Sequence, residues 1–504
     1  MAVFPAKFVA LSDALGRYRA ISRPAPPSIS AEFNPIDIRL ICMWRPGFRI
    51  LLATALLTAI APFRISSAQP APRAETRWTP GAEFRSKHYR ILSDLTPEDT
   101  RAYAAHLDLM YEEYARRLSS LAQRAPEIPF VLLFARQQDY LDVMRTRYAI
   151  NATGSGGMFF TSPNGSGLAL FMEGLPRTRV LHVIQHEGFH QFAHSRFVGA
   201  LPPWVNEGLA EYFGEAIVVE GRVIVGQSSP GPVEAIRKAV EQNATIDFLR
   251  MLTMDGEEWN ANVRTGNAAI QYMQAWSMVQ FLSWAEGGRY QRPFEGYLAR
   301  LHAGMPSDRA FIEAFGTRDI ASFETAWRAW ARTTVPSALG TAAMRLTYLA
   351  DGLRELSRDG IRAESLEDLI SKLRDRGFAT EVVVHGRTER IEADARALEI
   401  PKDELSTEQP VFDLIPPKLS RQTVAERKRE EAHPTPPVIT TRGLQPRELV
   451  LKWIRGKDGT FDYEILSPKK APPPAKPSRP DRAPKRASSE NTSASDGPGA
   501  KAGH

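Results

Sequence analysis

From about Phe84 the apolar and polar positions fall into regular periods. His88–Asp94 reads as a strand. Pro97–Leu121 follows as a helix, with Leu107, Met110, Tyr111, Tyr114, Leu118 and Leu121 at helical spacing. Phe130–Phe134 is a short apolar strand and Gln137–Tyr148 a second helix. A glycine-rich turn then leads to Met158–Phe160, and Pro163–Gly167 turns the chain into Leu168–Met172, the pattern of a hairpin. Downstream the helical period dominates, over Arg179–Phe197, Pro203–Phe213, Val233–Gln242, Ala268–Trp284, Phe294–Leu301, Arg309–Phe315 and Phe323–Arg332, interrupted by a strand pair around Glu220-Gly221. These patterns predict an α+β fold: a mixed N-terminal sheet with helices, then a mainly α-helical half, then a small C-terminal α/β or β appendage.

After Pro336 the pattern weakens. Ser365–Arg376 looks helical, Glu381–Val384 looks like a strand, and Leu449–Trp453 with Phe461–Ile465 flank a glycine turn as a hairpin. The shifts divide the chain into a main domain at 84–335, an appended unit at 341–412, a Pro- and charge-rich linker at 413–442, a hairpin segment at 443–467 and a tail at 468–504. The tail is dominated by Pro, Lys, Ala and Ser, a composition that cannot bury enough surface to fold.

The N-terminus carries a different signature. Met43–Arg49 is short and basic, Ile50–Phe63 is almost unbroken apolar sequence, and Ser66-Ser67-Ala68 supplies small residues before Gln69. This order defines a secretory signal peptide at 43–68. Its 14 apolar residues would make a helix of about 21 Å, short of the roughly 30 Å of hydrocarbon in a bilayer. A cleaved signal is therefore expected, with an uncleaved membrane anchor as the alternative; no stable span remains after cleavage. Residues 1–42 fit badly ahead of such a signal and are read as an N-terminal extension, with translation expected to start at Met43. The single cysteine, Cys42, falls in that extension, so the mature chain has no thiol nucleophile and no disulfide. Export without disulfides suits a periplasmic or extracellular bacterial protein.

Composition adds one exclusion. The 504 residues are 43% hydrophobic and carry a formal charge of +6. Residues 1–68 and 468–504 each carry a net +5, which leaves the stretch between them slightly acidic, at −4. A folded region of that sign offers no footprint for nucleic acid. The basic tail is expected to make at most weak contact with an anionic surface.

The candidate chemistry is concentrated in Val180–His194. His186-Glu187-Gly188-Phe189-His190 has the form H-E-x-x-H, which on a helix stacks two imidazoles on one face within reach of one Zn²⁺. Glu187 is then placed to reach a water on the metal and to act as general base and acid. His182 and His194 extend the i, i+4 row, but each step of four rotates by about 40°, so one neighbouring pair shares a metal; only the 186/190 pair has Glu directly after its first member. Glu207 lies seventeen residues beyond His190, on a second helix at Pro203–Phe213 that sets Glu207 and Glu211 four apart on one face. Glu207 is expected as the third ligand, leaving one position for water. Glu211 is expected to orient a ligand imidazole, and Asn206 is grouped with it.

His186–His190 followed by Asn206-Glu207-Gly-Leu-Ala-Glu211-Tyr resembles the gluzincin group of zinc metallopeptidases, and the surrounding Trp-Val-Asn-Glu-Gly-Leu-Ala-Glu-Tyr-Phe is similar to a peptidase MA-like family of exported bacterial proteins of unknown function. The resemblance covers residues 84–332. It implies a zincin-like fold for the main domain, one Zn²⁺ on His186, His190 and Glu207, and hydrolysis of a peptide or protein substrate. It also implies that Leu168–Met172 is the edge strand along which substrate pairs, and that a Tyr assists the oxyanion; Tyr272 is nominated, with Tyr212 as a weaker candidate. The alternative function is a non-catalytic envelope binding or scaffold protein with a structural metal site. Peptide mapping of the expressed precursor checks the N-terminal reading: no peptides from 1–42 are expected, and their presence overturns the start at Met43.

Overall fold

A computed structural model describes residues 78–119, 128–197, 201–384, 387–402, 407–418, 423–456 and 459–468, all within one compact unit, Cys42–His504. The expected extension with Cys42, the signal segment and the tail beyond Pro468 lie outside the described residues.

The N-terminal sheet is built from β1 (Phe84–Arg85), β2 (Arg90–Ser93), β3 (Phe130–Phe134), β4 (Gly157–Ser162) and β5 (Gly165–Phe171), in the order β1-β2-β3-β5-β4. Strands β2, β3 and β5 run parallel, whereas β1 and β4 pair antiparallel at the two edges. Helices α1 (Pro97–Arg117) and α2 (Gln137–Tyr148) lie in the two crossovers. With a parallel neighbour on each side and both its faces buried, β3 reads as an unbroken apolar run. The order corrects one expectation: Leu168–Phe171 is not an edge strand. It lies between β3 and β4, fully shielded, and β4 forms the edge. The chain reverses at 163–164, and the returning strand pairs with β3 because Leu168–Phe171 is apolar at every position and is buried on both faces, whereas β4 leaves Met158, Phe159, Thr161 and Ser162 only half-buried.

The helical half follows: α3 (Arg177–Arg196), α4 (Pro203–Gly214), the short pair β6 (Ile217–Val219) and β7 (Arg222–Ile224), then α5 (Pro230–Glu241), α6 (Phe248–Thr253), α7 (Gly256–Asn262), α8 (Ala268–Gly288), α9 (Gln291–His302), α10 (Ser307–Phe315) and α11 (Ile320–Thr333). The protein is thus mixed α+β with an N-terminal sheet and a helical middle. None of its described helices is long and apolar enough to cross a membrane.

Two close approaches hold the central helices. A Cβ at Gly157 would stand 2.7 Å from both the Leu170 Cβ and the Val183 Cγ1, so α3 packs directly onto the β4–β5 hairpin. At Gly208 a Cβ would stand 2.6 Å from the Ala275 carbonyl, so α4 touches the backbone of α8. Trp204 is completely buried and stacks on Tyr297 with ring centroids 5.8 Å apart.

Beyond Pro336 the chain forms α12 (Ala338–Arg358), α13 (Leu366–Asp375), the pair β8 (Ala379–Val384) and β9 (Arg387–Glu392), then β10 (Val411–Ile415), α14 (Val424–Ala432), β11 (Val438–Arg442), β12 (Val450–Arg455) and β13 (Phe461–Leu466). Helix α12 had no counterpart among the expected elements. Leu339, Ala342, Leu346, Leu349, Leu353 and Leu356 are all buried and recur every three or four residues, the stripe of one helix face that packs into the C-terminal core. Residues 413–442, expected as linker, instead contribute two strands and a helix. Strands β10 and β11 pair antiparallel and β12 and β13 complete a four-stranded sheet. The prolines at 434, 436 and 437 stand just before β11, where they cost no ladder bond.

This C-terminal sheet reaches the start of α3. Arg177 at its first turn opposes the helix dipole, and the Asp462 carboxylate of β13 lies 2.7 Å from its guanidinium, which also sits over the Tyr463 ring. The Tyr463 hydroxyl donates to Asp351 of α12 at 3.1 Å. Trp204→Ala is expected to cost about 3–5 kcal/mol of stability, read as a lowered urea midpoint with an unchanged slope.

Candidate metal centre

Helix α3 carries four histidines in one row, and its opposite faces fix which way the row points. Val180, Val183, Ile184, Phe189 and Phe192 are buried in the main core. The Tyr114 hydroxyl of α1 donates to the Gln185 carbonyl at 2.6 Å, and Gly188 leaves room for that ring. The Gln185 amide donates to Phe213 O and Ala216 O, each at 2.8 Å, which satisfies carbonyls at the end of α4. One buried residue therefore ties α3 to α1 through its backbone and to α4 through its side chain.

With the two helices held together, Glu207 on α4 meets the imidazoles of α3. Its Oε2 lies 3.3 Å from His190 Nε2 and 3.6 Å from His186 Nε2, and the two nitrogens are 3.1 Å apart. A four-coordinate ion with bonds of about 2.0–2.1 Å to such donors sets them about 3.3–3.4 Å apart. The three atoms thus have the spacing of three corners of one coordination tetrahedron, and His186, His190 and Glu207 could hold a metal ion. Among the described residues this group has no fourth His, Cys, Asp or Glu member. A second group, His182, His186 and Glu211, overlaps it at His186. Glu211 Oε1 lies 3.3 Å from His186 Nδ1, the ring nitrogen turned away from Glu207, the position expected of a carboxylate that orients a ligand.

The electrostatics point the same way. Burial works against a charged His186, yet the neighbouring Glu211 and Glu207 carboxylates hold its imidazolium well above the usual range. His190 is raised in spite of its burial by Glu207. Burial works against the Glu207 carboxylate as well, but the two imidazoles pull it down to about 2. The carboxylates create a buried field that demands positive charge at its centre. Protons satisfy it in part, and a dication bound by the same atoms would displace them.

The remaining candidates fall at different distances from this group. Glu187 Oε2 accepts the Phe159 backbone N–H of edge strand β4 at 2.8 Å, and its charge acts on both His186 and His190. Tyr272, near the start of α8, packs edge-on against Trp259; burial and the charge of Glu207 raise its hydroxyl well above the ordinary tyrosine range, which places it in the field of the site. Tyr212 is turned elsewhere: its hydroxyl accepts the Trp284 indole N–H at 3.0 Å. Asn206 stands half-buried in the first turn of α4, its backbone N–H on Pro202 O at 3.0 Å, beside the group on the chain. His194 is exposed against Phe159. Tyr114, Gln185 and the Phe159 amide had no part in the sequence-based site. A Gln amid apolar neighbours on α3 was the only local hint, and backbone donors carry no sequence signal.

Residues 181–291 match a family described as a protein of unknown function (DUF1570). That stretch runs from α3 to the start of α9 and contains every member of both metal groups together with Glu187 and Tyr272. No curated protein matches the chain. Metal titration checks the donor set: His190→Ala and Glu207→Ala should each weaken divalent-metal binding more than Glu211→Ala, for which a loss of about 10–100-fold is expected.

Proposed function

We propose that the protein is an exported zinc-dependent hydrolase, a gluzincin-type peptidase of zincin-like fold with His186, His190 and Glu207 as ligands. The observation that carries this reading is the mutual spacing of the three donor atoms, 3.1, 3.3 and 3.6 Å, close to that of three corners of one coordination tetrahedron, with no fourth donor in the group among the described residues. Two imidazoles and a carboxylate suit Zn²⁺ by ligand type. When bound, the ion would supply Lewis acidity to a substrate carbonyl and acidify water.

The chain's own residues would do the rest. Glu211 keeps His186 turned so that Nε2 faces the other donors. Glu187 is held at one carboxylate oxygen by the Phe159 amide, which leaves its second oxygen to take the proton of the attacking water and pass it to the leaving amine nitrogen. Strand β4 is the sheet edge beside Glu187, and an extended peptide could pair with the backbone groups of that edge other than the Phe159 N–H, which Glu187 already takes. Tyr272 is the candidate donor to the developing oxyanion. The signal-like order of residues 43–68 supports export to the periplasm or beyond.

The second reading, a non-catalytic binding or scaffold protein with a structural metal, needs four closed protein ligands. The place of His182, on the far side of His186 from Glu207, counts against it as the fourth. The deciding experiment is Glu187→Gln in the full chain. Zinc content should stay at about one ion per chain while hydrolysis of a peptide library falls by at least about 100-fold; retained hydrolysis defeats the role of Glu187.

A further inference from the structure

We infer that His182 is a positioning residue that acts on the metal ligand His186 through Glu211. The inference rests on the reading of His186 as a ligand. Glu211 is almost fully buried, only 2% exposed, and its two oxygens face different imidazoles: Oε1 lies 3.3 Å from His186 Nδ1, and Oε2 lies 3.5 Å from His182 Nε2. A buried carboxylate must have its oxygens matched by donors, or it pays the full cost of leaving water. The second imidazole therefore decides the angle at which Glu211 meets the first.

His182 is itself confined. A Cβ at position 214 would stand 2.8 Å from its ring, so Gly214 of α4 provides the slot in which the imidazole lies. On the other side, Glu215 Oε1 is 4.0 Å from His182 Nδ1, and the Ser229 hydroxyl donates to the other Glu215 oxygen. His182, Glu211, Glu215 and Ser229 all line one cavity of about 410 Å³, together with His106 of α1. The metal centre thus continues past its three donors as a chain, His186–Glu211–His182–Glu215, that ends on this cavity rather than on the β4 side. The overlapping group of His182, His186 and Glu211 is better explained by this chain than by a second ion, because a second ion would need both ring nitrogens of His186 at once.

The test measures zinc affinity by competition with a chromophoric chelator, using the full chain. His182→Phe keeps a flat ring but removes its donor and should weaken binding roughly tenfold. In a Glu211→Gln background the same change should add little, because the link through which His182 acts has already been altered. Gly214→Ala, which crowds the ring while leaving every donor in place, should also weaken zinc severalfold and serves if His182→Phe does not fold. Wild-type affinity in His182→Phe or Gly214→Ala, or a His182→Phe loss that adds in full to that of Glu211→Gln, overturns the inference. Two zinc ions per wild-type chain overturn it in favour of a second metal site. A wild-type chain that takes up no zinc overturns the metal reading together with it.

Discussion

The distance between α3 and α4 governs everything at the candidate centre. His186 and His190 are one turn apart on a single helix, so their proximity follows from helix geometry alone. Glu207 stands on another helix, and it reaches them because Gln185 spends its amide on the terminal carbonyls of α4 while its own carbonyl receives the Tyr114 hydroxyl. Gly208, directly after Glu207, lets α4 sink against the α8 backbone. A side chain there would drive α4 away from α8 and alter the angle at which Glu207 is presented. The centre is thus held by buried hydrogen bonds and backbone contact, neither of which tolerates a shift of an ångström.

Charge then gives this framework its chemical character. Glu211 is buried and Glu207 half-buried beside two imidazoles, and carboxylates withdrawn from water in this way persist only if something positive is shared among them. A site built this way is stable when a cation fills it and strained in its protonation when none does. The same arrangement separates two sides. Glu187 and the edge strand β4 face one; His182 and Glu215, which line the cavity of about 410 Å³, face the other.

The C-terminal region is part of this framework rather than an addition to it. Arg177 stands at the positive end of α3, where a cation is unfavourable, and Asp462 of β13 neutralises it. Through Tyr463 and Asp351 the same sheet is tied to α12. The helix that bears the histidine row therefore begins at a joint made by residues almost 300 positions away.

Much of this was legible before any coordinates. Strand β3 and helix α2 coincide with their apolar periods, and α3 and α4 lie within a residue or two of theirs, because each presents one clear face or a bounded apolar run. The pairing of His186 with His190 could be read from spacing and residue type, since helical geometry brings positions four apart together wherever the helix lies; that Glu207 joins them depends on how α4 meets α3. Helix α12 carries a clear apolar period of its own, in Leu339, Leu346, Leu349, Leu353 and Leu356, whereas β10, β11 and α14 were hidden by the prolines and charges around them. Which strand forms the sheet edge, how Tyr114 and Gln185 lock the helices, and the link from His182 through Glu211 were decided only by tertiary structure. Sequence carries the periods of single elements, whereas contacts between elements depend on how their faces meet, and a backbone amide such as that of Phe159 leaves no mark in the sequence at all.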